Sequence, residues 1–356
     1  MRAQTITRKP RSRRRIALVT VALSLLLAMA LPLTGYIAHD AGLAWAQSDD
    51  AEKEAVNSRS EYWRAVRQGT EGYSSVSGPE AGVLIQSGGE DWRNLRSGPL
   101  KFFGGSLLIA VLIAILVNHL VRGKDMIDSP TGRKINRWSG FDRALHWYVG
   151  ITFIILSITG LSLLFGRALL IPLLGKEGFA AWAQLSKPVH DYLALPFIVG
   201  FALMLLIWIP RNFLRSHDFA WLKSVGGIVG KDHHPQAGYM NGGEKVFFWI
   251  LFFGGIALMV SGFYLLFPNL GWERETMQLS HIVHSASGLF LIGISLGHIY
   301  LGSIGVEGVL EGMVRGEVDE GFAKQHHNLW YDEVKGVAPP QEGSAAPDVS
   351  GATPTT

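Results

Sequence analysis

Four histidines in apolar surroundings are the side chains of this sequence best suited to chemistry. His284 and His298 both lie within the stretch 282–306, and an ionisable group there is expensive to leave in lipid, which makes each a functional candidate. Their fourteen-residue spacing falls about 40° short of four helical turns, so both imidazoles share one helix face, roughly 21 Å apart along the axis. One helix can therefore serve two sites. His146 opens one apolar stretch and His190 opens another at the opposite depth, so depth pairs His190 with His284 and His146 with His298. Two nitrogen ligands on opposite sides of an iron suit a non-covalent b-type haem with both axial positions filled. Two such haems stacked across a bilayer form an electron path and leave no open position for oxygen chemistry.

The other histidines read differently. His281 competes with His284, but it sits about 100° off the face of His298 and reads as interfacial. His119, His217, His233, His234, His326 and His327 fall at span ends or in loops and are expected at the surface. With no cysteine in 356 residues, the chain holds no disulfide, thiolate zinc site, iron–sulfur cluster of its own or c-type haem attachment. Histidine is the metal ligand that remains.

The elements that must position these groups follow from hydropathy. At 48% hydrophobic, 17% charged and a mean hydropathy of +0.22, the chain is too apolar for an ordinary soluble protein. Its 42 glycines suit closely packed membrane helices. Arg8 to Arg15 followed by an uncharged run to Leu33 and Ala44-Trp45-Ala46 read as a signal peptide over residues 1–46. Residues 47–99 are polar and read as an exported segment. Five apolar stretches follow, near 102–121, 144–165, 190–210, 246–267 and 283–304, each long enough to cross about 30 Å of hydrocarbon. Loop 122–143 carries six bases and loop 211–245 carries five, against three and one in the intervening loops. The base-rich loops, and with them the C-terminus, are expected to be cytoplasmic.

The expected fold class is an all-α integral membrane protein: a four-helix haem-binding bundle over residues 135–333 with one additional N-terminal transmembrane helix at 100–122, followed by a disordered cytoplasmic tail at 334–356. Arg143 and Lys245 face the cytoplasmic boundary, where they either snorkel or pair with haem propionates. Trp138, Trp147, Trp249 and Tyr300 read as interface or packing aromatics. Gly150, Gly160, Gly262 and Gly288 give room for close approach of a helix or a porphyrin.

Several motifs resemble a known family. Phe141-Asp142-Arg143-Ala144-Leu145-His146-Trp147, Asn241-Gly242-Gly243-Glu244-Lys245, His284-Ser285-Ala286-Ser287-Gly288, Gly297-His298-Ile299-Tyr300 and the tail Ala323-Lys324-Gln325-His326-His327 with Trp330-Tyr331 are similar to the gamma subunit of membrane-bound formate dehydrogenase, over residues 135–333. Tyr62 to Arg96 resembles the extension of longer gamma subunits. The resemblance implies a cytochrome b of the bacterial inner membrane that carries two b-type haems. It anchors a catalytic molybdenum or tungsten subunit and an iron–sulfur beta subunit, and it passes electrons to membrane quinone. The family's haem ligands match His146, His190, His284 and His298, and its quinone pocket matches Asn241, Gly243 and the neighbourhood of His298. Glu244 and Met240 depart from the glutamine and tyrosine of the family motif. The formate chemistry itself, and any catalytic residue for it, belongs to a partner, and no nucleic acid is expected. The rival readings are the cytochrome b of a membrane-bound hydrogenase and a cofactor-free anchor or transporter.

Overall fold

The computed structural model describes residues 87–227 and 234–336. The expected signal peptide, most of the exported segment, His233 and the tail from residue 337 lie outside the described residues.

The described chain opens as helix α1 (Ser87–Leu95), which runs through a π-helical turn at Arg96–Leu100 into α2 (Lys101–Arg122). Helix therefore begins inside the stretch read as an exported segment, and it ends at Gly123, whose φ of 69° stops it. α2 packs on the last long helix, α6 (Arg274–Tyr300), with Gly104 under Leu289 and Gly293 beneath Leu107, Leu108 and Val111. Asn118 donates to the Tyr300 hydroxyl at 3.2 Å. The outward residues of α2, among them Ile109, Leu112, Leu116 and Leu120, are exposed and apolar, as a lipid-facing helix requires.

Helix α3 (Gly140–Trp208) contains two of the expected spans. Ser139 caps it by accepting from the Asp142 amide, and the only non-helical residue inside is Gly175, with φ 72°. There the chain reverses. Phe179 packs on Gly166, His190 on Gly160 and Tyr148 on Gly200, and Trp208 bonds Asp142, so the two arms run antiparallel. The connection near 166–189, expected as a loop between spans, is thus helical on both sides of one glycine. The apolar run through Leu169 and Leu174 sustains the helix up to that glycine, and a left-handed backbone is needed at a single point. A short helix α4 (Ser216–Lys223) then leads to α5 (Gly242–Leu266) and α6.

The two arms of α3 with α5 and α6 form the bundle, and Leu145, Val149, Leu156, Phe197, Phe201, Met204, Leu205, Trp208 and Phe248 make a buried core among them. Among the described residues, four helices are long and apolar enough to cross a membrane, and the one over Gly140–Arg211, α3 with the turn that follows it, is long enough for two passes.

One end of the bundle carries a polar cap. Strand β1 (Lys134–Asn136) pairs antiparallel with β2 (Glu317–Asp319), and the short helices α7 (Val309–Arg315), α8 (Glu320–His326) and α9 (Asn328–Lys335) complete it. Its core is Ile135, Val318, Phe322, Ala323 and Trp330. Asp319 accepts the amides of Thr131, Gly132 and Gly321 at 2.7–3.0 Å, which ties the loop after α2 to the C-terminal segment. Burial pushes the Asp319 carboxyl up, but these hydrogen bonds outweigh it and hold the group below its ordinary value. His327, expected at the surface, is buried here with Nδ1 bonded to the Gly238 carbonyl at 2.9 Å. The hydropathy of a loop gives no sign that it will be folded over by a distant segment.

Candidate functional site

His146 lies in the second turn of α3, and His298 in the last turn of α6, both at the capped end of the bundle. Their ring centroids are 6.0 Å apart. His190, on the returning arm of α3, and His284, near the start of α6, meet at the far end with centroids 6.2 Å apart. The structure therefore joins the four histidines in the two pairs that depth suggests, one above the other along α6.

The separations can be tested against an iron. A metal–imidazole bond of about 2.0 Å and about 1.2 Å from nitrogen to ring centre, taken twice, give a centroid separation of roughly 6.4 Å for a metal between two rings. Both pairs come within a few tenths of an ångström of that value. Among the described residues no group of three or more His, Asp or Glu side chains is placed to hold a metal ion, so the protein offers two nitrogens per site and no third ligand. Iron bound by only two protein nitrogens needs a macrocycle to complete its coordination, and haem meets that need.

The far-end pair is oriented by hydrogen bonds. His284 Nδ1 lies 3.1 Å from the Leu258 carbonyl, which can only accept, so the ring proton is on Nδ1 and Nε2 keeps the lone pair a metal requires. His190 Nδ1 lies 2.9 Å from Thr159 Oγ1. With its one proton shared between the carbonyls of Ile155 and Leu156, that hydroxyl accepts from His190, which also bonds the Leu156 carbonyl, and Nε2 is left free. A Cβ added at Gly160 would stand 3.1 Å from His190 Cε1, and one at Gly262 the same distance from His284 Cε1. Each of the two glycines is thus the space in which an imidazole rests.

The capped-end pair is held by aromatic rings. Phe247 stacks on His298, and Trp208 lies nearly parallel to His146 at 6.3 Å. Trp208 is fixed in turn, since its indole donates to Asp142 at 2.8 Å and Arg211 reaches the same carboxylate oxygen at 3.1 Å. Asp142 thereby binds the start of α3 to its end. Gly150, one turn after His146, has open space where its Cβ would be. The sequence reading passed over Thr159, Ser261, Trp208 and Phe247, because hydroxyls and aromatics are unremarkable on apolar helices. The signal available was that Thr159 and Ser261 each immediately precede a glycine.

Asn241 and Gly243 stand at the capped end, Asn241 as the N-cap of α5 and Gly243 in its first turn. Asn241 Oδ1 accepts the Glu244 amide at 2.9 Å and Glu244 Oε2 accepts the Asn241 amide at 2.8 Å, a reciprocal capping box. Glutamate performs the reciprocal bond as glutamine would, and it also pairs with the buried Arg137 at 3.3 Å. Gly243 lies beneath Trp221, where a Cβ would come within 2.6 Å of the indole.

Arg143 and Lys245, expected to snorkel or to meet propionates, are engaged by the protein. Arg143 donates to the Val314 carbonyl at 2.6 Å, and Lys245 is buried against Asp218 at 2.6 Å. His281 packs on Trp92 of α1, with ring centroids 5.6 Å apart. His217 is partly buried beside Asp218, and burial lowers its pKa. His234 is exposed and His119 contacts Tyr300.

Residues 137–316 match the family described as prokaryotic cytochrome b561. The chain is 27% identical over 207 residues to the cytochrome b556(Fdn) subunit of the nitrate-inducible formate dehydrogenase of Escherichia coli strain K12, covering 57% of this chain and 93% of that one. The cytochrome b556(fdo) subunit of formate dehydrogenase from the same strain is 28% identical over 204 residues, 56% of this chain and 93% of the relative. The formate dehydrogenase cytochrome b556 subunit of Haemophilus influenzae is 28% identical over 196 residues, 54% and 79%.

Proposed function

This chain belongs to the prokaryotic cytochrome b561 family, and from that premise we propose that it is the cytochrome b subunit of a membrane-bound formate dehydrogenase, carrying electrons from an iron–sulfur partner to quinone. The observation that carries the reading is the stacking of two histidine pairs along one helix, each at a separation that suits an iron. The relatives named above, all formate dehydrogenase subunits, favour formate over hydrogen as the source of electrons.

Two b-type haems would supply one-electron transfer with no open iron position. In this reading His190 and His284 would hold the far-end haem, and His146 and His298 the capped-end haem. The rest of the bundle excludes water and keeps the rings in place. The base-rich loops meet at the capped end, so that end is cytoplasmic and the far end is exported. Electrons enter at the far end from the beta subunit, which the catalytic molybdenum or tungsten subunit feeds, and leave to quinone near His298, Asn241 and Gly243. Asn241 acts there by shaping the start of α5, since its side-chain oxygen is used in the cap. Quinone that takes its protons from the cytoplasm stores about 2.3 kcal/mol per electron for each 100 mV of membrane potential. The chain is a multi-pass protein of the bacterial inner membrane, made with a signal peptide at 1–46, and it also anchors its partners.

The test uses the isolated complex with its partner subunits. His190→Ala and His284→Ala should each halve the haem content by pyridine haemochrome analysis and lose the same component of a redox titration, and His146→Ala and His298→Ala the other. In His298→Ala, formate should still reduce the far-end haem while quinone reduction collapses, because the remaining gap is on the order of 21 Å. Wild-type quinone reduction in that variant would sink the capped-end route, and a wild-type complex without a b-type spectrum would sink the haem reading altogether.

A further inference from the structure

The far-end histidines rest in a device that the chain uses twice. Leu156-Ser157-Ile158-Thr159-Gly160 on the first arm of α3 and Leu258-Met259-Val260-Ser261-Gly262 on α5 share one pattern: leucine, two residues, a hydroxyl, glycine. The local geometry repeats as well. Thr159 Oγ1 donates to the carbonyls four and three residues back, at 2.9 and 3.1 Å. Ser261 Oγ does the same at 2.6 and 3.1 Å. Each hydroxyl is then left with acceptor capacity only, aimed at a histidine Nδ1, at 2.9 Å for His190 and 3.4 Å for His284. The Leu258 carbonyl takes the larger share of the His284 proton at 3.1 Å. The glycine that follows leaves room for Cε1 of the same ring.

The capped-end pair lacks this device. His146 Nδ1 is buried and has no hydrogen-bond partner among the described residues. His298 is held by the face of Phe247.

We propose that Leu156–Gly160 and Leu258–Gly262 are twin histidine clamps, and that Thr159 and Ser261 are positioning residues that fix the plane and the Nδ1–H tautomer of the two far-end ligands. The proposal rests on the haem reading above and deepens it. A ligand imidazole whose N–H is donated to an oxygen is the more basic ligand, and it stabilises ferric over ferrous iron. The clamps therefore hold the far-end haem at a lower potential than it would have without them, and the capped-end haem has no such contribution. That asymmetry drives electrons from the far end toward the capped end.

The experiment is a redox titration of the two b haems in the intact complex, with low-spin ferric electron paramagnetic resonance as a reporter of the imidazole planes. Thr159→Val should keep both haems, raise the midpoint of one of them and move the g-values of that haem alone. Thr159→Ser should return both readings to the wild type. Thr152→Val is the control, because Thr152 makes the same back-bonds on the same arm, to Tyr148 and Val149, and among the described residues hydrogen-bonds no histidine. It should change neither reading. Ser261→Ala should shift the same haem in the same direction but less, since the Ser261 hydroxyl lies farther from its imidazole than Thr159 does, and it carries the test if Thr159→Val does not assemble. Wild-type potentials and g-values in Ser261→Ala and Thr159→Val, a shift of the haem that depends on His146, or an equal shift in Thr152→Val would each overturn the clamps. Absence of b haem from the wild type would instead overturn the reading beneath them.

Discussion

Phe247 lies flat against His298, ring centroids 4.5 Å apart and planes within 8° of parallel. The two sit on adjacent helices at the capped end of the bundle, where the ring of His298 is oriented by a face and, among the described residues, by no hydrogen bond. An aromatic face restrains rotation about the last side-chain torsion, which an aliphatic side chain does much less well. Phe247→Leu should therefore loosen the capped-end ligand. The expected result is broadened resonance signals and reduced content for the haem that depends on His298, with the His190–His284 haem unchanged. Equal loss of both haems would show that Phe247 supports the bundle as a whole.

Lys245 and Asp218 are both buried and pair at 2.6 Å, with Asp218 also accepting the Arg215 amide at 2.7 Å. Removing one charge leaves the other unpaired in a poorly solvated site, which costs about 3–5 kcal/mol. Lys245→Met should lower the yield of folded protein in membranes severely. Lys245→Met combined with Asp218→Leu should recover much of it, because no lone charge remains. Failure of the double variant to exceed the single one would mean that the pair does more than neutralise itself.

The cap should loosen in mild acid. Burial lowers the pKa of His326 from 6.5 to about 4, with Arg137 and His234 adding to the effect and Asp125 and Asp128 opposing it, and burial holds His327 well below its ordinary value. Between pH 6.5 and about 4 the unfolded segment binds protons that the folded cap refuses, so stability falls as pH drops through that window. Amide exchange across residues 317–335 should accelerate there, while exchange in α5 and α6 stays slow. Replacing His326 with Gln should flatten the dependence, and an unaltered profile in that variant would assign the acid response to other groups.

The absence of cysteine makes topology simple to read, since one introduced thiol is the only label site. Gln236→Cys lies in an exposed part of the capped end and Glu177→Cys at the exposed far turn. An impermeant thiol reagent should label position 177 from the periplasmic side and leave 236 untouched until the membrane is opened. The reverse pattern would invert the proposed electron direction.

Much of this site was legible in one dimension. Apolar runs long enough to span hydrocarbon appear along the chain, and helical periodicity alone puts His284 and His298 on one face with a known rise between them. Lipid excludes most alternatives, because only helices satisfy every backbone group from within, so depth could pair His190 with His284 and His146 with His298 before any contact was known. Glu244 looked like a departure from a motif, yet its amide and carboxylate complete a capping box that is itself written in adjacent residues. What the sequence could not decide depends on residues far apart in the chain. His327 is buried because loop 234–241 and the strand at Lys134–Asn136 fold over the C-terminal helices, and Lys245 gave no sign of its partner Asp218, which lies 27 residues earlier. The orientation of the imidazoles was likewise settled in three dimensions: a hydroxyl, a carbonyl and the space over a glycine must converge on one ring, and only the packing of neighbouring helices brings them there.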